Sequence, residues 1–214
     1  MEALFWKVLK HLEKRAPGGF GTCYKRLPRR FKKIIHAVDS TTIALVANCM
    51  PWAKHRRRKA AAKMHLRLNL QSFLPGFVVI EEASHHDDTR APALCAHLLA
   101  GEIALFDKAY VNFLHLYGLC LRGVFWVTRA KDNMAYRVVK KLQPKPTGKI
   151  LRDDLIVLTT ARSRKQYPAR LRRVEMLVTV NGVEVAMVFI TNNMEWAASS
   201  VGELYQARWG IEVF

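Results

Sequence analysis

The chain has 214 residues, half of them hydrophobic, which fits one sizeable domain with a packed core. Lys and Arg number 35 against 17 Asp and Glu, so the formal net charge is +18 and we expect a polyanionic partner. A ribosomal or chaperone-like basic protein is the alternative that charge alone leaves open. The chain shows no apolar run of the roughly 18 residues that a membrane-spanning helix needs, and no signal peptide. The four cysteines form no CxxC pair, so we expect reduced thiols and a cytoplasmic location.

The first 30 residues predict a helix followed by a basic segment. Apolar residues recur at helical spacing over residues 1–15, and the glycine-rich stretch 17–21 ends that pattern. Strand-like runs follow at about 34–39, 42–47, 64–72 and 76–83. The alternation of leucines with polar residues at 66–71 is typical of a half-buried strand.

Helices and strands alternate in the next part of the chain. The pattern predicts a helix over 89–100, a strand over 102–106, a helix over 110–121 closed by Gly123, and a strand over 124–128. This order favours an α/β fold, in which a mixed sheet has helices packed on its faces, over residues 31–130. Chemistry in such sheets gathers at strand ends, where this reading places Asp39 and Asp107.

Residues 131–195 predict a β-rich insertion rather than further alternation. Strand-like runs occur at 155–159, 174–180 and 183–190. The dipeptide Asn181-Gly182 separates the last two runs and is a strong hairpin signal. A final helix is expected over 196–214, with Ser200 as N-cap and Glu203 completing a capping box.

Three carboxylates are the candidate catalytic and metal-binding residues: Asp39, Asp107 and Glu212. Alone, each is better explained as a turn or surface acid. Together they are informative, because Tyr205, Arg208 and Glu212 fall on one narrow stripe of the predicted final helix. Converging carboxylates supply the hard oxygen ligands that Mg²⁺ prefers, and two such ions can clamp the oxygens of a phosphoryl transfer.

A dense basic run follows the second predicted strand, and we predict that it contacts DNA phosphates. The candidate DNA-binding residues in it are Lys54, Arg56, Arg57, Arg58 and Lys59. A solvated charged loop is the alternative reading. The nearby sequence His85-His86-Asp87-Asp88 is better explained as a helix-entry loop than as a metal site, because adjacent residues rarely converge on one ion.

The chain resembles the DDE transposases of bacterial insertion sequences, specifically the IS-four group, from about residue 30 to its end. The resemblance rests on Val38-Asp39-Ser40-Thr41-Thr42, Phe106-Asp107-Lys108-Ala109-Tyr110, Phe125-Trp126-Val127-Thr128-Arg129 and Tyr205-x2-Arg208-x3-Glu212. It implies a ribonuclease H-like core with a β-insertion before the acidic helix. It also implies that Asp39, Asp107 and Glu212 bind Mg²⁺, with Mn²⁺ as a substitute, and that Tyr205 and Arg208 support Glu212 and contact DNA phosphate.

The resemblance further implies metal-dependent cutting of transposon ends and strand transfer into target DNA, by an enzyme that associates with the nucleoid and acts as a homodimer on double-stranded DNA. The family motif continues with a Lys seven residues after the Glu, whereas this chain stops at Phe214, so we expect a truncated product. Two alternatives remain open: a catalytically weak DNA-binding fragment of a transposase, and a ribonuclease H-like nuclease without strand transfer.

Overall fold

A computed structural model describes residues 2–15, 30–45, 54–55, 59–83, 87–143 and 146–213. Its α-helices are α1 (Glu2–Arg15), α2 (Asp87–Leu94), α3 (Phe113–Leu121), α4 (Ala161–Gln166) and α5 (Ala198–Ala207), with 3₁₀ helices at Lys108–Tyr110 and Arg208–Val213. Its strands are β1 (Ile35–Leu45), β2 (Lys54–His55), β3 (Lys59–Asn69), β4 (Leu74–Glu82), β5 (Ile103–Phe106), β6 (Phe125–Arg129), β7 (Tyr136–Gln143), β8 (Ile150–Leu158), β9 (Leu171–Val180) and β10 (Val183–Thr191).

Within the described residues, ten strands form one mixed sheet in the order β2-β3-β1-β5-β6-β10-β9-β8-β7, and β4 also pairs with β3. β1, β5 and β6 run parallel to one another, and their ladders end at Val38, Phe106 and Thr128. The edge of the sheet at these three residues is called the C-terminal edge below. The predicted α/β fold class, a mixed sheet with flanking helices, is confirmed.

The two faces of the sheet are covered by different helices. Val38 and Phe106 belong to a buried cluster that also contains residues of α2 and α3. Ala37 and Leu105 belong to a second cluster, which contains the buried residues of α5. Successive side chains of a strand point to opposite faces. The residues that follow Val38 and Phe106 are therefore directed towards the face that α5 covers.

The two strands predicted at 34–39 and 42–47 form one continuous strand, β1, of 11 residues. The prediction of a break was wrong because β1 pairs with β3 along almost its whole length, from His36 to Leu45. Asp39 therefore lies inside a strand and not at its C-terminus. What ends beside Asp39 is the parallel pairing with β5, whose last partners are Val38 and Phe106.

The predicted strands of the segment 131–195 are present as β8, β9 and β10. The Asn181-Gly182 hairpin is confirmed: both residues have positive φ, 50° and 81°, as a type I′ turn requires. β10 pairs antiparallel with β6, so these strands extend the core sheet directly. β7 and α4 were not predicted, since β7 is an edge strand whose side chains are mostly exposed and whose apolar residues do not alternate.

The last helix differs from the prediction at both ends. α5 begins at Ala198 with Ala197 as N-cap, so the predicted capping box at Ser200 is wrong. Ser200 and Glu203 instead both accept hydrogen bonds from the Arg30 guanidinium, each at 2.7 Å. After Ala207 the chain tightens into the 3₁₀ segment, which carries Glu212.

The helices beside the first cluster agree with the predictions in kind but are shorter. α2 ends at Leu94 rather than near 100, and it contains Pro92, which cannot donate a helix hydrogen bond. α3 begins at Phe113 with Asn112 as N-cap. Gly123 closes it with a φ of +71°, as predicted. No helix in the described part of the chain is long and apolar enough to cross a membrane.

Candidate active site

Asp39 and Asp107 lie side by side at the C-terminal edge. Each directly follows the last residue of the parallel ladder between β1 and β5, Val38 and Phe106 respectively. Both carboxylates are partly buried, and both are contacted by side chains from the end of α5. Two segments 68 positions apart in the sequence thus bring two acids to one point.

Tyr205 connects α5 to Asp107. Its hydroxyl donates a hydrogen bond to Asp107 Oδ1 at 3.1 Å, and its ring packs against Phe189 at a centroid distance of 4.8 Å. The side chain is almost completely buried. Burial is the main reason that the pKa of Tyr205 rises to about 12, so the hydroxyl stays protonated and remains a donor at neutral pH.

Arg208 connects the same helix end to Asp39 and to Glu212. One guanidinium nitrogen makes a short contact with Asp39 Oδ2, and another lies 3.3 Å from Glu212 Oε1. The guanidinium carbon also lies 5.3 Å from the centroid of the Tyr205 ring, within cation–π range. Burial works to lower the pKa of Arg208, but the neighbouring Tyr205 and carboxylates outweigh it and raise the pKa.

The Asp39 carboxylate is in an environment that disfavours its charge. Burial is the largest cause of its raised pKa, and the nearby Asp107 adds to the increase. Arg208 and the backbone N–H of Ser40, which donates to Asp39 Oδ1 at 2.8 Å, act in the opposite direction. Paired carboxylates at a partly buried position attract a cation, because the cation removes their mutual repulsion.

Glu212 is the most exposed of the three predicted ligands, with 57% of its side chain accessible. It lies four residues after Arg208, on the 3₁₀ segment that continues α5. The segment packs against β1, which carries Asp39. The structure therefore brings the three predicted acids to the C-terminal edge, together with Tyr205 and Arg208.

The chemistry of these side chains fits a divalent cation, since carboxylate oxygens are the preferred ligands of Mg²⁺. Within the described residues, however, no three His, Cys, Asp or Glu side chains already converge as a metal site. The guanidinium of Arg208 pairs with two of the acids, and the Tyr205 hydroxyl holds the third. The positive charge that these carboxylates need is supplied here by Arg208.

The predicted DNA-binding residues are placed only in part. Arg56, Arg57 and Arg58 lie outside the described residues. Lys54 lies on β2 and Lys59 on β3, and their backbones pair with those of Ala60 and His55 respectively. Tyr205 and Arg208 are buried and bonded to carboxylates, so their contact with DNA phosphate stays a prediction.

A polar cluster on the opposite face of the sheet was not found from the sequence. It joins Ser40 to Asp87 (Oγ to Oδ1, 2.7 Å), Lys63 to Asp87 (Nζ to Oδ1, 3.0 Å), and His65 to Tyr110 (Nδ1 to hydroxyl, 3.2 Å). Asp87 is the first residue of α2, as the helix-entry reading predicted, whereas His85 and His86 lie outside the described residues. The available signal was His65, a polar residue at an inward position of a strand.

Comparison with known proteins identifies the family. The family described as "Transposase DDE domain" matches residues 30–214. A protein named as a transposase for insertion sequence element IS5377, from Geobacillus stearothermophilus, is 28% identical over 187 residues, which cover 86% of this chain and 48% of that protein. A protein of Sinorhizobium fredii named as the transposase y4zB is 27% identical over 197 residues, covering 90% of this chain and 53% of that protein.

Among solved structures, a piggyBac transposase synaptic complex with hairpin DNA matches with a TM-score of 0.49 and 8% identity, covering 84% of this chain and 39% of that one. The chain spans about half the length of the curated relatives it matches. Because the family match extends over most of the sequence, this chain belongs to the DDE transposase domain family.

Proposed function

Taking membership of the DDE transposase domain family as the premise, we propose that this chain is a catalytic core that cuts transposon ends and transfers the cut strand into target DNA. The observation that carries the proposal is the convergence of Asp39, Asp107 and Glu212 on one edge of the sheet, with Arg208 held between two of them. Family membership supports the use of a divalent metal, and this arrangement supports its location.

In this proposal Asp39, Asp107 and Glu212 hold Mg²⁺, for which Mn²⁺ can substitute. The bound metal supplies Lewis-acid activation of the attacking oxygen and neutralises charge on the phosphate. Asp39 and Asp107 are the principal ligands, because each directly follows the last residue of the parallel ladder between β1 and β5. Glu212 completes the set from the 3₁₀ segment, and its greater exposure lets it move.

Arg208 and Tyr205 have two roles in the proposed reaction. Arg208 neutralises Asp39 and Glu212 in the metal-free chain, and it would be free to pair with a DNA phosphate when a metal is held by those carboxylates. Tyr205 keeps the Asp107 carboxylate in a fixed orientation by donating from its hydroxyl, which burial keeps protonated. An Arg suits this exchange because its guanidinium pairs equally well with carboxylate and phosphate oxygens.

We propose double-stranded DNA, both transposon end and target, as the substrate. The formal net charge of +18 supports an electrostatic contribution to binding. The sequence segment 54–59 carries the densest basic run, including Arg56, Arg57 and Arg58. We assign residues 31–130 and 196–214 to the catalytic core, 131–195 to an insertion and 1–30 to an N-terminal segment. The enzyme would act as a homodimer on nucleoid DNA in the cytoplasm.

The test is single-turnover nicking of an end-containing duplex in Mg²⁺ or Mn²⁺. Asp39→Asn, Asp107→Asn and Glu212→Gln should each lower the rate by at least 100-fold, because each removes a ligand from the reacting centre. Glu184→Gln is the matched control, since Glu184 is an exposed acid on β10 that pairs with Lys149. Nicking that survives Asp39→Asn and Asp107→Asn would reject the assignment.

A further inference from the structure

The parallel pairing between β1 and β5 stops one residue before each aspartate, although Asp39 stays paired with Leu66 of β3. The last partners in the β1–β5 ladder are Val38 and Phe106, and each acid is the next residue. After Phe106 the chain leaves the sheet and enters the 3₁₀ helix Lys108–Tyr110. Other contacts must therefore set the distance between Asp39 and Asp107.

Tyr205 and Arg208 contact the two carboxylates from the face that α5 covers, and side chains on the opposite face contact the segments that carry them. The Ser40 hydroxyl, one residue after Asp39, donates to Asp87 Oδ1 at 2.7 Å. The same Asp87 oxygen lies 3.7 Å from Nδ1 of His65, and that ring nitrogen lies 3.2 Å from the Tyr110 hydroxyl. The backbone N–H of Tyr110 donates to the carbonyl oxygen of Asp107 at 3.0 Å. Ser40, Asp87, His65 and Tyr110 thus connect the segment that carries one aspartate to the segment that carries the other.

His65 on β3 contacts Tyr110 and lies on the same face of the sheet as Ser40. Its ring is fully buried, with Nδ1 3.2 Å from the Tyr110 hydroxyl and Nε2 3.2 Å from Glu81 Oε1. A neutral ring that carries its proton on Nε2 faces Glu81 with a donor and accepts the Tyr110 proton at Nδ1. Asp87 is held in turn by Lys63 Nζ at 3.0 Å, so both ends of the chain of contacts are anchored by charge.

We propose that Ser40, Tyr110, His65 and Asp87 form a back-face clamp that sets the spacing of the Asp39 and Asp107 carboxylates for metal binding. These are positioning residues, because none of them reaches the carboxylates through its own side chain. The inference rests on the proposed function. Partners outside the ligand set that orient ligands typically change metal affinity by about 10–100-fold when they are removed, which gives the expected size of the effect.

The experiment measures the Mn²⁺ concentration that gives half of the maximal rise in melting temperature of the 214-residue chain. Tyr110→Phe removes only the hydroxyl of the clamp and should raise that concentration about 10-fold. Tyr167→Phe is the matched control, since Tyr167 is an equally buried tyrosine at the end of α4, and it should leave the value unchanged. Asp39→Asn combined with Asp107→Asn defines the response without the site.

Ser40 gives a second test that does not depend on the folding of the Tyr110 variant. Ser40→Ala should weaken the Mn²⁺ response, whereas Ser40→Thr keeps a hydroxyl on a strand residue and should restore it. A merely structural role would lower the melting temperature in the absence of metal and leave the half-maximal Mn²⁺ concentration where it was.

The outcomes separate the clamp from the proposed active site. A parent response that disappears in the Asp39/Asp107 double variant, together with a weakened response in Tyr110→Phe and Ser40→Ala, supports the clamp. Unchanged Mn²⁺ dependence in Tyr110→Phe and Ser40→Ala, with the double variant still inert, overturns the clamp alone. An equal response from parent and double variant overturns both proposals.

Discussion

Two arginines of this molecule are buried to a similar degree, but the carboxylates that pair with them differ in their exposure to solvent. Arg172, on β9, makes two hydrogen bonds to Asp153 at 2.8 and 2.6 Å, and both side chains are at most 7% exposed. Arg208, at the C-terminal edge, is as buried, yet its partners Asp39 and Glu212 are 26% and 57% exposed. The first pair is closed to solvent. The second is open on the carboxylate side, so another cation can compete for it.

The comparison shows how one interaction can serve structure in one region and chemistry in another. A fully desolvated, bidentate pair is strongly disrupted when one partner is lost, because a charge is left buried. A pair with exposed carboxylates tolerates the loss of its arginine better, since water or a metal ion can take the place of the guanidinium. Charge exposure, rather than the residue types, distinguishes the two sites.

The largest expected effect comes from breaking the closed pair. Arg172→Met should lower the free energy of unfolding by about 3–5 kcal/mol, because Asp153 is left uncompensated. The double variant Arg172→Met/Asp153→Leu should recover most of that loss. Urea denaturation of the three proteins measures both values, and a loss below about 1 kcal/mol in the single variant would show that the pair is not desolvated as described.

The next largest loss of stability is expected from a substitution at Gly202, where α5 packs against β9. A Cβ on Gly202 of α5 would lie 2.1 Å from Met176 Sδ on β9, the strand that carries Arg172. Gly202→Ala should therefore cost about 1–3 kcal/mol through overpacking. Gly118→Ala on α3 is the matched control, because its Cβ would meet nothing within 4 Å; it should stabilise by about 0.5–1 kcal/mol. Similar losses in both variants would contradict the packing described for α5.

Removing Arg208 should cost less than removing Arg172. Arg208→Met is expected to lower the free energy of unfolding by about 1–2 kcal/mol without metal, because its carboxylate partners are already part-solvated. Millimolar Mn²⁺ should restore the loss by taking the place of the guanidinium. Thermal unfolding with and without Mn²⁺ measures the difference; a loss that Mn²⁺ does not reduce would mean that Arg208 and the metal do not share the site.

The smallest expected effect is a pH dependence caused by His115, a half-buried histidine that has no carboxylate partner within the described residues. Burial, and then Arg122, lower the pKa of His115 from 6.5 to about 4. The folded state therefore favours the neutral ring. This contribution is complete above pH 6.5 and is lost as the pH falls towards 4. The free energy of unfolding should fall by about 1 kcal/mol between pH 6.5 and 5.5 from this residue, and His115→Leu should flatten the profile. Parallel profiles for parent and variant would contradict the pKa shift.

The sequence predicts those features of the fold that depend on local chemistry. Asn181 and Gly182 form the expected turn because both can adopt positive φ, and Gly123 ends α3 for the same reason. β7 escaped prediction because an exposed edge strand carries no alternation of apolar residues. The start of α5 was misplaced because the polar groups of Ser200 and Glu203 bind Arg30, which is 170 positions away in sequence from Ser200.

The candidate site divides in the same way. The apolar runs that precede Asp39 and Asp107 could be identified from the sequence, and the stripe of Tyr205, Arg208 and Glu212 from helical spacing, whereas the continuation of β1 beyond Asp39 was missed. The pairing of Arg208 with Asp39 spans 169 positions, so no local pattern contains it. The contacts of Ser40 and Tyr110 likewise require the sheet to be formed before they can be seen.

The most direct test of the central claim is the anomalous scattering of a crystal of this chain grown or soaked in Mn²⁺. We expect a metal peak coordinated by Asp39 and Asp107, with Arg208 displaced from Asp39. The same experiment on Asp107→Asn should give no peak at this edge. A peak elsewhere, or no peak while Arg208 keeps its contact with Asp39 at saturating Mn²⁺, would contradict the assignment of these carboxylates as the metal site.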